Sequence, residues 1–156
     1  MDYNSQFMDE AVSEAEKALE AGEVPVGCVV VREDAVISRG HNMTNRESDP
    51  LAHAELVALR HCASAESLVF YITCEPCIMC LGVLGRIRAR VFYGCRNPIF
   101  GGTTVLGGVS EALCTHVHRE SAVRLLQRFF LMENCNAPPN KRRPKEKRQQ
   151  RHWSPQ

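Results

Sequence analysis

The chain is expected to fold as one α/β domain, on three observations. Two apolar runs are separated by a single polar pair, a strand–helix–strand succession occupies the middle, and amphipathic helical segments lie at both ends of that core. At 156 residues and 44% hydrophobic content, the chain has about one domain's worth of length and enough apolar material for a core.

The elements follow in order. Phe7, Met8, Ala11, Val12, Ala15, Ala18 and Leu19 recur at helical spacing opposite Glu10, Glu14, Glu16, Lys17 and Glu20, so residues 7–21 read as an amphipathic helix ended by Gly22 and Pro25. Residues 26–32 and 35–40 read as two strands of a hairpin joined at Glu33 and Asp34. The polar stretch NMTNRESDP reads as a loop, after which LAHAELVALRHC reads as a second helix entered through Asp49 and Pro50. SLVFYITC is a β-branched and aromatic strand, PCIMCLGVLGRI a helix with Pro76 in its first turn, and ARVFYGC another strand. That succession implies a parallel pair with a crossover helix, whose Ile78 and Met79 are expected to pack on the sheet. RNPIFGGTTVLGG, with four glycines and a proline, reads as a loop, LCTHVH as a short last strand, and residues 119–132 as a last helix.

The domain is expected over residues 1–136, with a basic, disordered tail over 137–156 that has too little apolar surface to fold alone. The formal net charge is +1, but residues 141–151 (KRRPKEKRQQR) carry +6, which leaves −5 on everything else. The N-terminal MDYNSQFMDE has none of the features of a signal peptide, and no apolar run approaches the roughly 18 residues of a membrane span. The expected setting is therefore intracellular, in cytoplasm or nucleus, without membrane association. In that setting Cys28, Cys62, Cys95, Cys114 and Cys135, scattered among apolar neighbours, read as buried reduced thiols rather than a disulfide framework.

The remaining cysteines fall within TCEPCIMC. Cys77 and Cys80 stand three apart at a helix start, sharing one face, where backbone amides favour thiolates. A lone CxxC serves a redox pair as well as a metal. His53, 24 residues upstream at the start of another helix, favours metal by supplying an imidazole. Three protein ligands leave the fourth tetrahedral position of Zn2+ open, which marks a catalytic site, where a bound water has its pKa brought towards neutrality. Cys74 as a fourth ligand would make the site structural instead. Glu55, two positions beyond His53, reads as the proton shuttle, although an acid in a first helical turn needs no chemistry. HxE together with PCxxC is the signature of zinc-dependent nucleobase deaminases.

The segments GEVPVGCVVV, RGHN, DPLAHAEL, TCEPCIMC, VFYGCRNPIFGG and ENCNAP with its basic run resemble the catalytic subunit of eukaryotic tRNA wobble adenosine deaminases, within the cytidine/deoxycytidylate deaminase superfamily. The first four segments specify the superfamily, and the last two carry the likeness to the tRNA enzymes. The resemblance covers about residues 5 to 143. It implies a three-layer α/β/α, cytidine-deaminase-like fold with a mixed five-stranded sheet, a zinc cofactor, and hydrolytic conversion of adenosine to inosine in a single-stranded anticodon loop. It further implies that Asn42 hydrogen-bonds the target base, that Val26 lines its pocket, and that a related subunit lacking the glutamate completes a heterodimer. Asn42 also reads as a turn residue.

The tail residues Lys141, Arg142, Arg143, Lys145, Lys147 and Arg148 would grip tRNA phosphates. A solvated or nuclear-targeting tail is the alternative. Two rival functions stand beside the tRNA enzyme: a free-base or nucleotide deaminase acting on guanine or cytosine, and a non-catalytic, zinc-stabilised RNA-binding subunit.

Overall fold

The computed structural model describes residues 2–106, 113–133 and 138–142. Five strands form one sheet: β1 (Gly27–Arg32), β2 (Ala35–His41), β3 (Val69–Cys74), β4 (Arg90–Cys95) and β5 (Cys114–His116), in the order β2-β1-β3-β4-β5. β1 is antiparallel to β2 and β3, whereas β3, β4 and β5 run parallel, so the sheet is mixed as expected. The helices are α1 (Ser5–Glu20), α2 (Thr44–Glu47), α3 (Ala54–Arg60), α4 (Ile78–Arg86), α5 (Gly102–Leu106) and α6 (Glu120–Leu131).

The period-2 alternation of the strands divides the core between two faces. Cys28, Val30, Phe70, Ile72, Val91 and Tyr93 pack with Ala54 and Ala58 of α3 and with Leu81 and Leu84 of α4. Val29, Val31, Val69, Tyr71 and Phe92 turn the other way onto Met8 and Ala11 of α1. α6 covers the far end of that second face through Ala122, Val123 and Leu126, against Cys95. The result is the three-layer α/β/α arrangement, with β1 and β3 buried on both sides.

Local chemistry sets the boundaries. Asn4 caps α1, its side chain accepting from the Gln6 amide at 3.0 Å. The β1–β2 hairpin turns at Glu33 and Asp34, both with positive φ (49° and 59°), as a two-residue turn of this hand requires. Two glycines are fixed by close approach. A Cβ on Gly27 would lie 2.0 Å from the Ala11 carbonyl oxygen, and one on Gly40 would lie 2.6 Å from the Ala58 nitrogen. α1 and α3 therefore press against the hairpin from opposite faces.

Several expectations need correction. The loop after β2 contains α2, and the glycine-rich segment after β4 contains α5. The second helix begins at Ala54 rather than Leu51, and α4 at Ile78, which puts Pro76 outside its first turn. Ile78 does not pack on the sheet: it is 47% exposed. Of the tail, Pro139–Lys141 forms a single 3-10 turn, and the expectation of disorder for residues 143–156 lies outside the described residues.

Buried Glu14 ties α1 to β2, accepting from Lys17 Nζ at 2.5 Å and meeting His41 Nδ1 at 3.0 Å. Burial pushes its carboxyl up, but the hydrogen bonds and charges of Lys17 and His41 outweigh it and hold the pKa below the ordinary 4.5. Ionised Glu14 therefore stabilises the fold above pH 4.5, and that contribution disappears as pH falls through the lowered pKa. Glu14→Gln is expected to melt earlier than the wild type at neutral pH, with the two melting temperatures converging on acidification. A constant offset across the acidic range would contradict this assignment.

Candidate metal centre and nucleotide cavity

His53 and Cys77 occupy the N-cap positions of α3 and α4, and Cys80 sits in the first turn of α4. Two helices on the same face of the sheet thus begin at one point and present an imidazole and two thiols to each other. Nδ1 of His53 lies 3.6 Å from Sγ of Cys77 and 3.6 Å from Sγ of Cys80. A tetrahedral zinc with bonds of about 2.3 Å to sulfur and 2.0–2.1 Å to nitrogen requires nitrogen–sulfur edges of about 3.6 Å, so the trio fits that ion. Two thiols and an imidazole are also the donor chemistry zinc prefers. Among the described residues this is the one His/Cys/Asp/Glu group spaced to hold a metal ion.

Cys74 is not part of it. Its thiol pairs with that of Cys95 on the neighbouring strand, and this contact together with burial pushes its pKa well above the ordinary value. Three protein donors are left, the number that keeps a coordination position open.

The Cys77 and Cys80 thiols hydrogen-bond each other. The hydrogen bond from Cys80 and the contact with His53 bring Cys77 down to about 4, against the cost of burial, and Cys80 is driven up in turn. The Cys77 contact in turn raises His53. The helix start favours the same thiolate. Glu55, in the first turn of α3, is 3% exposed. Burial pushes its carboxyl above the ordinary carboxylate range, and the Cys77 charge pushes the same way.

His53 and Cys77 open onto a cavity of about 840 Å³ that Glu55, Asn42 and Val26 also line, with Cys80 buried behind them. That volume lies within the roughly 300–1,000 Å³ of small-molecule sites and admits a nucleobase with its sugar. Asn42 is 5% exposed, and its Nδ2 donates to Glu23 Oε2 at 3.0 Å and to Thr44 Oγ1 at 3.1 Å. A carboxylate can only accept, so this contact fixes the amide with its carbonyl oxygen left as an acceptor on the cavity wall. Val26 adds an apolar wall. Of the tail residues, Lys141 and Arg142 do not line this cavity, Arg142 standing 3.7 Å from Glu133, and Arg143, Lys145, Lys147 and Arg148 lie outside the described residues.

Two buried acids without a role in the sequence reading hold this architecture. Glu23, 1% exposed, accepts from Asn42 and Asn45 Nδ2 and from the Arg46 amide, fixing Asn42 and the start of α2. Glu75, 2% exposed, accepts from the Asn97 and Thr104 amides at 2.9 and 2.8 Å and from the Thr103 and Thr104 hydroxyls. Burial raises the Glu75 pKa, but these hydrogen bonds more than reverse it, so the group is ionised. A buried glutamate is rare without such partners, and no periodicity marks one in advance.

The family profile of the cytidine and deoxycytidylate deaminase zinc-binding region matches residues 1–95. The chain is 37% identical to the tRNA-specific adenosine deaminase 2 of Xenopus tropicalis over 90% of its own length and 96% of the relative's. Among solved structures, a tRNA:A34 deaminase studied in A-to-I editing at the wobble position aligns with a TM-score of 0.69 and 30% identity, covering 79% of this chain and all of the other. The guanine deaminase of Bacillus subtilis aligns with a TM-score of 0.58 and 30% identity, over 70% of this chain and 78% of its own. The His–Cys–Cys trio, the glutamate beside it and these likenesses agree: the chain belongs to the cytidine and deoxycytidylate deaminase family of zinc-binding proteins.

Proposed function

We propose that this chain deaminates adenosine to inosine at the wobble position of tRNA anticodons, as the zinc-dependent catalytic member of a heterodimer with a related, non-catalytic deaminase-like subunit. The reading is carried by the buried Glu55 carboxyl beside the His53, Cys77 and Cys80 trio, at the floor of a cavity wide enough for a nucleoside. The 37% identity to a tRNA-specific adenosine deaminase 2 over nearly the whole of both chains supports the polynucleotide substrate.

His53, Cys77 and Cys80 would hold the ion, which when bound would supply an activated water as the nucleophile. Glu55 takes a proton from the attacking water at its carboxylate and delivers it to the ring nitrogen, then takes the second proton from the hydroxyl that has added to the ring carbon and delivers it to the amine, which leaves as ammonia. A carboxyl raised by burial suits that exchange, because proton transfer is most effective when the shuttle's pKa approaches the working pH. Asn42 orients the base through its free carbonyl oxygen, and Val26 closes the pocket against water. An anticodon loop presents its bases unpaired, so one can enter the cavity at modest cost. Exposed Val105 and Leu106 on α5 offer apolar surface for the partner subunit, and the basic tail reaches tRNA phosphates. Such an enzyme acts in the cytoplasm or nucleus. Among the described residues, no helix is long and apolar enough to cross a membrane.

The direct test is inosine formation in an adenosine-34 anticodon stem-loop by the purified chain, co-expressed with its partner subunit. Glu55→Gln should keep its zinc and lower the rate by about a thousandfold, since it removes only the proton carrier. A variant with an undiminished rate would take that role from Glu55. Turnover of free guanine without inosine would instead identify a free-base deaminase.

Cys77→Ser should lose both bound zinc, by elemental analysis, and thermal stability, because the metal's binding energy is part of the folding energy. Full zinc occupancy in that variant would contradict the ligand set. Removing residues 141–156 should weaken tRNA binding and flatten its salt dependence with zinc unchanged. Unaltered affinity would leave the tail a solvated or nuclear-targeting segment.

A further inference from the structure

The loop between β4 and α5 is held more firmly than an exposed loop needs to be. Glu75 fixes the Asn97 amide, Asn97 Oδ1 accepts from the Phe100 amide at 3.1 Å, and the Gly101 amide returns to the Asn97 carbonyl at 2.9 Å. The Phe100 carbonyl in turn accepts from the Ile78 amide at 3.0 Å, so the loop is pinned to the start of the helix that carries Cys77 and Cys80. A Cβ on Gly101 would fall 2.4 Å from the Glu75 carboxylate, so no larger residue fits that clamp.

This pinned loop carries Arg96, exposed and on the lining of the nucleotide cavity. Among the described residues Arg96 has no carboxylate partner, and Glu75, the acid that anchors the same loop, is occupied by Asn97, Thr103 and Thr104. On the same loop Ile99 is 69% and Phe100 62% exposed, both also lining the cavity. An exposed guanidinium on a pinned loop, without a carboxylate partner among the described residues and beside apolar surface at the mouth of the cavity that Glu55 lines, matches a polynucleotide. A base deep enough to reach Glu55 leaves its sugar and flanking phosphates at the mouth, where a planar fork of donors can take a phosphate. A free base brings no phosphate there.

We propose that Arg96 contacts a backbone phosphate flanking the target nucleotide, and that this contact separates polynucleotide from free-base substrates. The proposal rests on the function proposed above and adds to it the residue that reads the backbone at the cavity mouth.

The test measures binding of the full chain, with its partner subunit, to an adenosine-34 anticodon stem-loop across a salt series, for wild type, Arg96→Gln and Arg96→Lys, alongside inosine formation at saturating RNA. Arg96→Gln should raise Kd roughly tenfold at low salt, through loss of one charge-assisted contact. Its slope of log K against log salt should become shallower by about 0.7, the share of one phosphate on a single strand. Arg96→Lys should keep most of the slope, and both variants should keep their zinc. An unchanged Kd and slope in Arg96→Gln, or a loss confined to kcat, would overturn the assignment of Arg96 alone. A wild-type complex that neither binds nor deaminates the RNA would overturn the proposed function, and this contact with it.

Discussion

The site depends on one geometric constraint: two helices must begin at the same point on one face of the sheet. His53 and Cys77 are both N-caps, so each ligand is positioned by where its helix starts rather than by its own rotamer alone. Close packing enforces those starts. α3 lies against Gly40 of β2 with no room for a side chain, and α4 buries Leu81 and Leu84 in the same core. The nitrogen–sulfur distances of 3.6 Å follow from this arrangement, and so does the burial of Glu55 in the first turn of α3.

A second layer of order comes from two buried carboxylates. Glu23 accepts from the third residue of α2, the Arg46 amide, and Glu75 from the third residue of α5, the Thr104 amide. Each acid thus plays the part of a helix cap from more than twenty residues away in the chain. Through these contacts Glu23 orients Asn42 on one wall of the cavity, while Glu75 sets the loop of Arg96 and Phe100 on another. The cavity walls are therefore held by two acidic side chains that the core buries and hydrogen-bonds.

This explains which parts of the molecule were legible in the sequence. The hairpin could be read because Glu33 and Asp34 interrupt two apolar runs and tolerate positive φ. The metal trio could be read because its spacing marks two helix starts. α2 and α5 could not, because what makes them helical is a distant buried acid rather than their own polar or glycine-rich residues. The same holds for Glu23, Glu75 and Arg96, whose roles come from tertiary neighbours. Ile78 was misread for a related reason: with Cys77 as the cap, α4 starts later than Pro76 suggested, and its first residue faces outward.

The measurement that bears most directly on the account is wobble-position inosine in cellular tRNA after depletion of this chain, with rescue by the intact sequence or by Glu55→Ala. A cell supplies whatever partner the chain needs, so the result does not depend on reconstituting one. The account predicts that inosine falls on depletion and returns only with the intact chain. Unchanged wobble inosine, with a rise in free guanine, would contradict it and identify the cavity as a free-base site.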